Sequence, residues 1–287
     1  MTSEGDECVR GRRGPFDGRP ATAPDFLLSR SHGSVRTQGS LATYSDPWLA
    51  AERLRRGEHQ MIVGAIPFNP ERPAALTVPR EIIRSEQPLE PPAHYRWNPP
   101  EIKARIVGHD PAPEEHLERL DAAIRTIKVS GMDKVVLARA IDLAIDPAID
   151  PLQLSSRLID GSPNRDGFVA DLGPAGGRFT GRMLIGSSPE MLVRRRGRIV
   201  EAFPLAGSAP RSRDRAADEA AAAKLMASRK NHEDHEFVVS IRCAEIDAAG
   251  TEARLWAGGG IVADSNPEEE LAETTAKLRT VLRAFGL

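Results

Sequence analysis

The sequence predicts an α+β fold with a mostly antiparallel sheet, and three observations carry that reading. The elements run strands, helix, strands, helix, strand, helix, with no regular βαβ alternation. In mid-chain, "DGFVADLG", "RFTGRMLIGSS", "PEMLVRRRG" and "RIVEAFPLAG" are strand-like runs parted by Gly or Gly-Pro signals, the pattern of an antiparallel meander. Three longer segments carry helical periodicity or high helix propensity instead.

Taken in order, the N-terminal "MTSEGDECVRGRRGPFDGRPATAP" is polar and rich in Arg, Gly and Pro. It lacks an apolar run, so residues 1–24 are expected to be a disordered leader and no secretory signal. Residues 25–287 are expected to form a single domain. "QMIVGAIPF" and "AALTVPREIIRS" read as strands joined by "NPERP", and "LEPPAHYRWNPP" as a surface linker. "PEEHLERLDAAIRTIKVSG" reads as a helix with Leu117, Leu120, Ile124 and Ile127 on its apolar face and Gly131 at its stop. "DKVVLARAIDLAI" is a strand, and "PLQLSSRLIDGSPN" a short helix and turn.

The basic cluster Arg194, Arg195, Arg196 and Arg198 brackets Gly197 and reads as a solvated hairpin tip. "DRAADEAAAAKLMASRKNHEDHEF" is Ala-rich and helical by propensity. "EARLWAGGGIV" reads as a strand ending at its three glycines. In "NPEEELAETTAKLRTVLRAF", Asn266 is an N-cap, Pro267 occupies N1, and Glu269 completes a capping-box-like spacing. Leu271, Thr275, Leu278, Leu282 and Phe285 form its expected buried stripe.

The bulk numbers exclude several function classes. The chain has 287 residues, 40% apolar and 28% charged, with net charge −2 and a pI near 6.4. That gives no electrostatic case for nucleic acid or an anionic membrane surface. No apolar run approaches the roughly 20 residues of a membrane span. The two cysteines, Cys8 and Cys243, form no CxxC motif, so a thiolate zinc site is disfavoured and a reducing, cytoplasmic setting fits.

One stretch breaks the usual punctuation. "SRKNHEDHEFVVSIRCAEIDAAG" passes from a helix-like to a strand-like pattern, and neither Gly nor Pro occurs between Pro210 and Gly250.

Four local features could carry chemistry, each with a plain structural alternative. Lys134 starts an apolar strand; such a lysine snorkels at a sheet end, or, withdrawn from water, acts as a base. Glu190 stands between "GSSP" and "MLV"; it decorates a surface, or, if buried, serves as a general acid. Glu233, Asp234, His235 and Glu236 form a solvated face or a ligand cluster, without HExxH spacing. Glu270, Glu273 and Lys277 share a helix face set roughly 120° from the apolar stripe, which by itself favours an exposed ion pair. The upstream glycines offer backbone N–H groups to an anion and match neither a Walker A loop nor a dinucleotide fingerprint.

In this order, "DKVVLAR", "IGSSPEMLV", "PLAGSAPR", "SRKNHEDHEFVV", "IRCAEI" and "AGGGIVADSNPEEELAETTAKL" resemble the chorismate-utilising enzymes. Within them the chain is most similar to isochorismate synthases of siderophore and menaquinone pathways. The resemblance implies layered antiparallel sheets flanked by helices. It implies Mg²⁺-dependent conversion of chorismate to isochorismate, water adding at ring carbon 2 and hydroxyl leaving from carbon 4. Lys134 matches the general base and Glu190 the general acid. Asp234 and Glu273 match the carboxylates that hold Mg²⁺, hard oxygen ligands for a hard cation. Arg242 and Lys277 match positions near the substrate carboxylates, and Gly207, Ser208, Gly258 and Gly260 match places where backbone approaches the ligand. A lysine at position 134 favours the water-using branch, isochorismate synthase before salicylate synthase. A monomer is expected.

The chain departs from the family pattern twice. Asp234 stands where the family has Glu, one methylene shorter, and weaker Mg²⁺ binding is expected. A segment on the order of 90 residues, as large as a small domain, is absent at Val239–Ser240–Ile241. The abrupt register change is that seam, and an inactive, internally deleted family member is the alternative it raises.

Overall fold

The computed structural model describes residues 19, 23–31, 33–69, 71–88, 101–188, 191–196, 199–203, 214–216, 219 and 242–287. Ten strands form one sheet in which every described neighbour is antiparallel. They are β1 (Phe26–Ser29), β2 (Ser34–Tyr44), β3 (Val63–Ala65), β4 (Ala75–Ser85), β5 (Ala104–Asp110), β6 (Lys134–Ile145), β7 (Gly167–Asp171), β8 (Met183–Gly186), β11 (Cys243–Ile246) and β12 (Glu252–Val262). Their order is β3-β4-β2-β1-β7-β8-β11-β12-β6-β5. The strands β9 (Met191–Arg196) and β10 (Ile199–Phe203) pair separately, Arg196 opposite Ile199, as the hairpin reading around Gly197 expects.

Four described helices are α1 (Pro47–Arg55), α2 (Pro113–Val129), α3 (Pro151–Asp160) and α4 (Pro267–Leu282). Asp46 and Asp150 cap α1 and α3, each carboxylate accepting backbone N–H groups of the first turn. Asn266 caps α4 by accepting from the Glu269 N–H at 3.0 Å. No described helix is long and apolar enough to cross a membrane.

The main core packs α3, α4 and the C-terminal turn on the centre of the sheet, through Leu143, Leu152, Ile185, Ile246, Leu255, Leu278 and Phe285. A second cluster, Leu120, Ile124, Ile127 and Ile261, lies between α2, α4 and the ends of β6 and β12. Burying side chains of this size contributes roughly 1.5–3 kcal/mol each. Of the residues read as a leader, Arg19 is held by Asp150, with paired N–H donors at 2.8 and 2.9 Å.

Three expectations need correction. The strand β12 does not end at its glycines; Gly258, Gly259 and Gly260 pair with Ala138, Leu137 and Val136, and the ladder runs on to Val262 opposite Lys134. Cross-strand pairing with β6 supports the run where side chains do not. The buried face of α4 is rotated from the expected stripe: Glu270, Thr274, Leu278, Val281 and Leu282 are buried, while Leu271 and Thr275 are half-buried. The helix is wedged between the sheet and α2, so its polar face is covered too. Consequently Glu273 and Lys277 do not form an exposed pair; their side chains are 18% and 13% exposed.

Candidate functional site

The strand β11 answers the question posed by the seam. Beginning two residues after Ile241, it inserts between β8 and β12, with Cys243 opposite both Gly186 and Trp256. All four of its residues are buried. Glu245 accepts from Arg182 at 2.8 Å, with Arg178 at 3.6 Å, so the one charge brought into the sheet is compensated. Burial, with Glu245 nearby, pushes the Cys243 thiol up to about 12, leaving it inert.

Arg242, half-buried, sits at the head of β11. Its carbonyl accepts from the Ser187 N–H at 3.0 Å, fixing it against the Ser187–Ser188 turn. A side chain on Gly186 would lie 2.7 Å from that carbonyl, so glycine is required for the approach. The turn is anchored from behind: Arg30 donates to the Ser188 carbonyl and pairs with Asp166 at 3.4 Å, and the Ser187 hydroxyl donates to the Asp166 carbonyl at 2.8 Å.

The glycines of β12 form a floor with a different occupant on each side. Along β6, Lys134, Val136 and Ala138 share one face with Gly258 and Gly260. That face is open, Val136 being 48% exposed. Gly259 presents the opposite face to Glu270, whose Oε2 would lie 3.2 Å from a side chain there. Glu270 also accepts from the Ser265 hydroxyl at 2.8 Å. Two turns on, Lys277 donates to the Gly258 carbonyl at 2.9 Å and pairs with Glu273 at 2.9 Å. Lys134 lies with Gly258 and Gly260 on the open face at this end of the β6–β12 ladder, α4 brings Lys277 and its partner Glu273 to the Gly258 carbonyl, and Arg242 heads the neighbouring strand.

Glu190, Gly207, Ser208 and Asp234 lie outside the described residues, as do Val239, Ser240 and Ile241. Among the described residues no three His, Cys, Asp or Glu side chains gather as a metal cage. Glu273 nonetheless offers a carboxylate of the chemistry Mg²⁺ takes, half-buried beside the glycine floor.

Sequence reasoning missed a buried polar group behind the floor. His116 is 1% exposed, and neither ring nitrogen has a hydrogen-bond partner among the described residues. Burial, then Arg139 and Arg119, lower its pKa. Arg139, from β6, donates to the Thr275 hydroxyl of α4, and burial lowers its pKa as well. The i, i+4 spacing of His116 with Leu120 was the available signal.

Comparison with known proteins gives consistent results. The family described as "Chorismate binding enzyme" matches residues 53–240 and 232–286, two stretches that meet at the seam. MenF of Mycobacterium tuberculosis is 30% identical, over 92% of this chain and 96% of its own length. That alignment runs over 364 positions although this chain has 287 residues, so part of the relative faces no residue here. Isochorismate synthase DhbC of Bacillus subtilis is 26% identical over 83% of this chain and 85% of its own. Among solved structures, DhbC from Bacillus anthracis superposes with a TM-score of 0.74 at 23% identity, covering 94% of this chain and 98% of that one. The menaquinone-specific isochorismate synthase MenF from Escherichia coli gives 0.65 at 19% identity, covering 93% and 89%.

Proposed function

The chain belongs to the chorismate-binding enzymes, and from that premise we propose that it is an isochorismate synthase, isomerising chorismate by adding water at C2 and releasing the C4 hydroxyl. The observation that carries this reading is the bond from Lys277, paired with Glu273, to the Gly258 carbonyl of the strand whose open face holds Lys134 over Gly260. Relatives named as isochorismate synthases support it.

In this reading Lys134 accepts a proton from the attacking water, whose oxygen bonds to C2. Both ring double bonds shift, the C4–O bond breaks, and Glu190 protonates the departing hydroxyl, so one water enters and one leaves. Arg242 supplies a planar donor fork and Lys277 a point charge for the substrate carboxylates. Asp234 and Glu273 would hold Mg²⁺, which would supply positive charge to the ring carboxylate. No part of the reaction requires redox chemistry. The exposed face beside Lys134 admits water, which suits a hydrating step.

A second reading has its own observation. The family match breaks into two stretches around residues 232–240, and the longer relative faces gaps in this chain. A chain lacking part of the site wall binds chorismate and does not turn it over. Incubating the protein with chorismate and Mg²⁺ and resolving the products decides among the readings. Isochorismate supports the proposal; salicylate with pyruvate selects salicylate synthase; bound, unchanged chorismate selects the internally deleted, inactive form.

A further inference from the structure

Each glycine of the Gly258–Gly260 run has a different steric neighbour. A side chain on Gly258 would meet the Leu137 carbonyl at 3.0 Å and the Ala138 Cβ at 3.2 Å, both parts of the paired strand. On Gly259 it would meet the Glu270 carboxylate at 3.2 Å. On Gly260 it would come closer to Lys134 Cε than carbon atoms approach one another, and 3.3 Å from Nζ. None of the three has a left-handed φ, so backbone conformation requires glycine at none of them.

We propose that Gly260 is a positioning residue for Lys134: its bare Cα is the seat across which the lysine stem lies, and the seat sets where the amine is held. The proposal rests on the reading of Lys134 as the base for its catalytic consequence, though not for its geometry. Lys134 leaves β6 at its first residue, opposite Val262, and Gly260 lies two residues before Val262 on the same face of the ladder. The stem therefore runs diagonally inward over the glycine, toward the floor that also carries Lys277 on the Gly258 carbonyl. The obstruction a methyl group would create is with the far part of a flexible side chain, not with backbone. By contrast, a side chain on Gly250 would press on the backbone of Ile149. Substitution at Gly260 thus moves the amine and leaves the strand in place. With β-carbon bulk on the seat, the lysine swings off the floor toward the open face beside Val136.

The test compares Gly260→Ala with wild type and with Gly131→Ala, a glycine that has nothing within 4 Å of an added side chain and no left-handed φ. Trace acetylation with limiting acetic anhydride, read by peptide mass spectrometry, reports the accessibility of the Lys134 amine without requiring turnover. Gly260→Ala is expected to acetylate at Lys134 severalfold faster than wild type, with an unchanged melting temperature; Gly131→Ala is expected to match wild type in both. An unchanged Lys134 rate in Gly260→Ala overturns the proposal. So does a fall in melting temperature that marks strain in β12. With chorismate, displacement of the base by an ångström is expected to lower kcat by about 100-fold. Faster acetylation without a loss of kcat leaves the seat standing and overturns the reading of Lys134 as the base.

Discussion

Glu245→Ala tests whether β11 is docked as described. Glu245 lies in the middle of that strand, opposite Leu184 of β8 and Arg254 of β12, and its carboxylate meets Arg182 at 2.8 Å. The carboxylate is 7% exposed, Arg182 29% and Arg178 66%. Breaking a wholly buried pair costs about 3–5 kcal/mol, because the remaining charge is stranded. Here Arg182 has a route to water and Arg178 is largely solvated, so the loss is smaller, about 2 kcal/mol. For a chain of this size that corresponds to a melting temperature lower by roughly 3 °C. Arg182→Ala and the double variant complete a cycle, and denaturant unfolding of the four proteins should show a coupling of about 1–2 kcal/mol. A coupling indistinguishable from zero would mean that β11 does not lie between β8 and β12, and the placement of Arg242 would fall with it.

Other consequences follow from the buried groups and the metal carboxylates. Cys243, its thiol pushed from 9.0 up to about 12, should resist iodoacetamide at pH 8 while the protein is folded and react on unfolding, as read from its tryptic peptide. His116 has its pKa lowered from 6.5, so the unfolded chain binds the extra proton first. Stability should therefore fall as pH drops below about 6.5 and level off below the folded pKa; His116→Leu should flatten that limb and cost little at pH 8, since neither ring nitrogen is bonded. Asp234→Glu should lower the Mg²⁺ concentration needed for half-maximal activity, and a titration showing no gain would contradict the short-ligand reading.

Much of the fold was legible because the patterns were local. The periodicity of α2, the N-cap at Asn266, the β-branched start of β6 and the Gly-punctuated strands are each written within a few residues. The strands β1, β2 and β5 and the helix α1 were not read as elements from pattern; β5 in particular is an exposed edge, its Ile106 and Val107 42% and 50% exposed, and lacks clean alternation. The rotation of α4 was invisible because packing on two sides, against the sheet and against α2, buries Glu270 and Thr274, which a one-sided stripe places outside. At the site, Lys134, Arg242, Glu273 and Lys277 were named from ordered motifs. Their placement around the β6–β12 ladder depends on the antiparallel register of β6, β12 and β11, which no single motif encodes. The roles of Arg30 and Arg139 depend on partners 158 and 136 residues away in the chain, distances at which sequence spacing carries no signal.

The most direct measurement is the fate of solvent oxygen. With chorismate and Mg²⁺ in water enriched in ¹⁸O, the wild-type chain is expected to release isochorismate carrying one ¹⁸O at its C2 hydroxyl, and Lys134→Ala to release essentially none. Isochorismate without the label, or no isochorismate from the wild-type chain, would contradict the account.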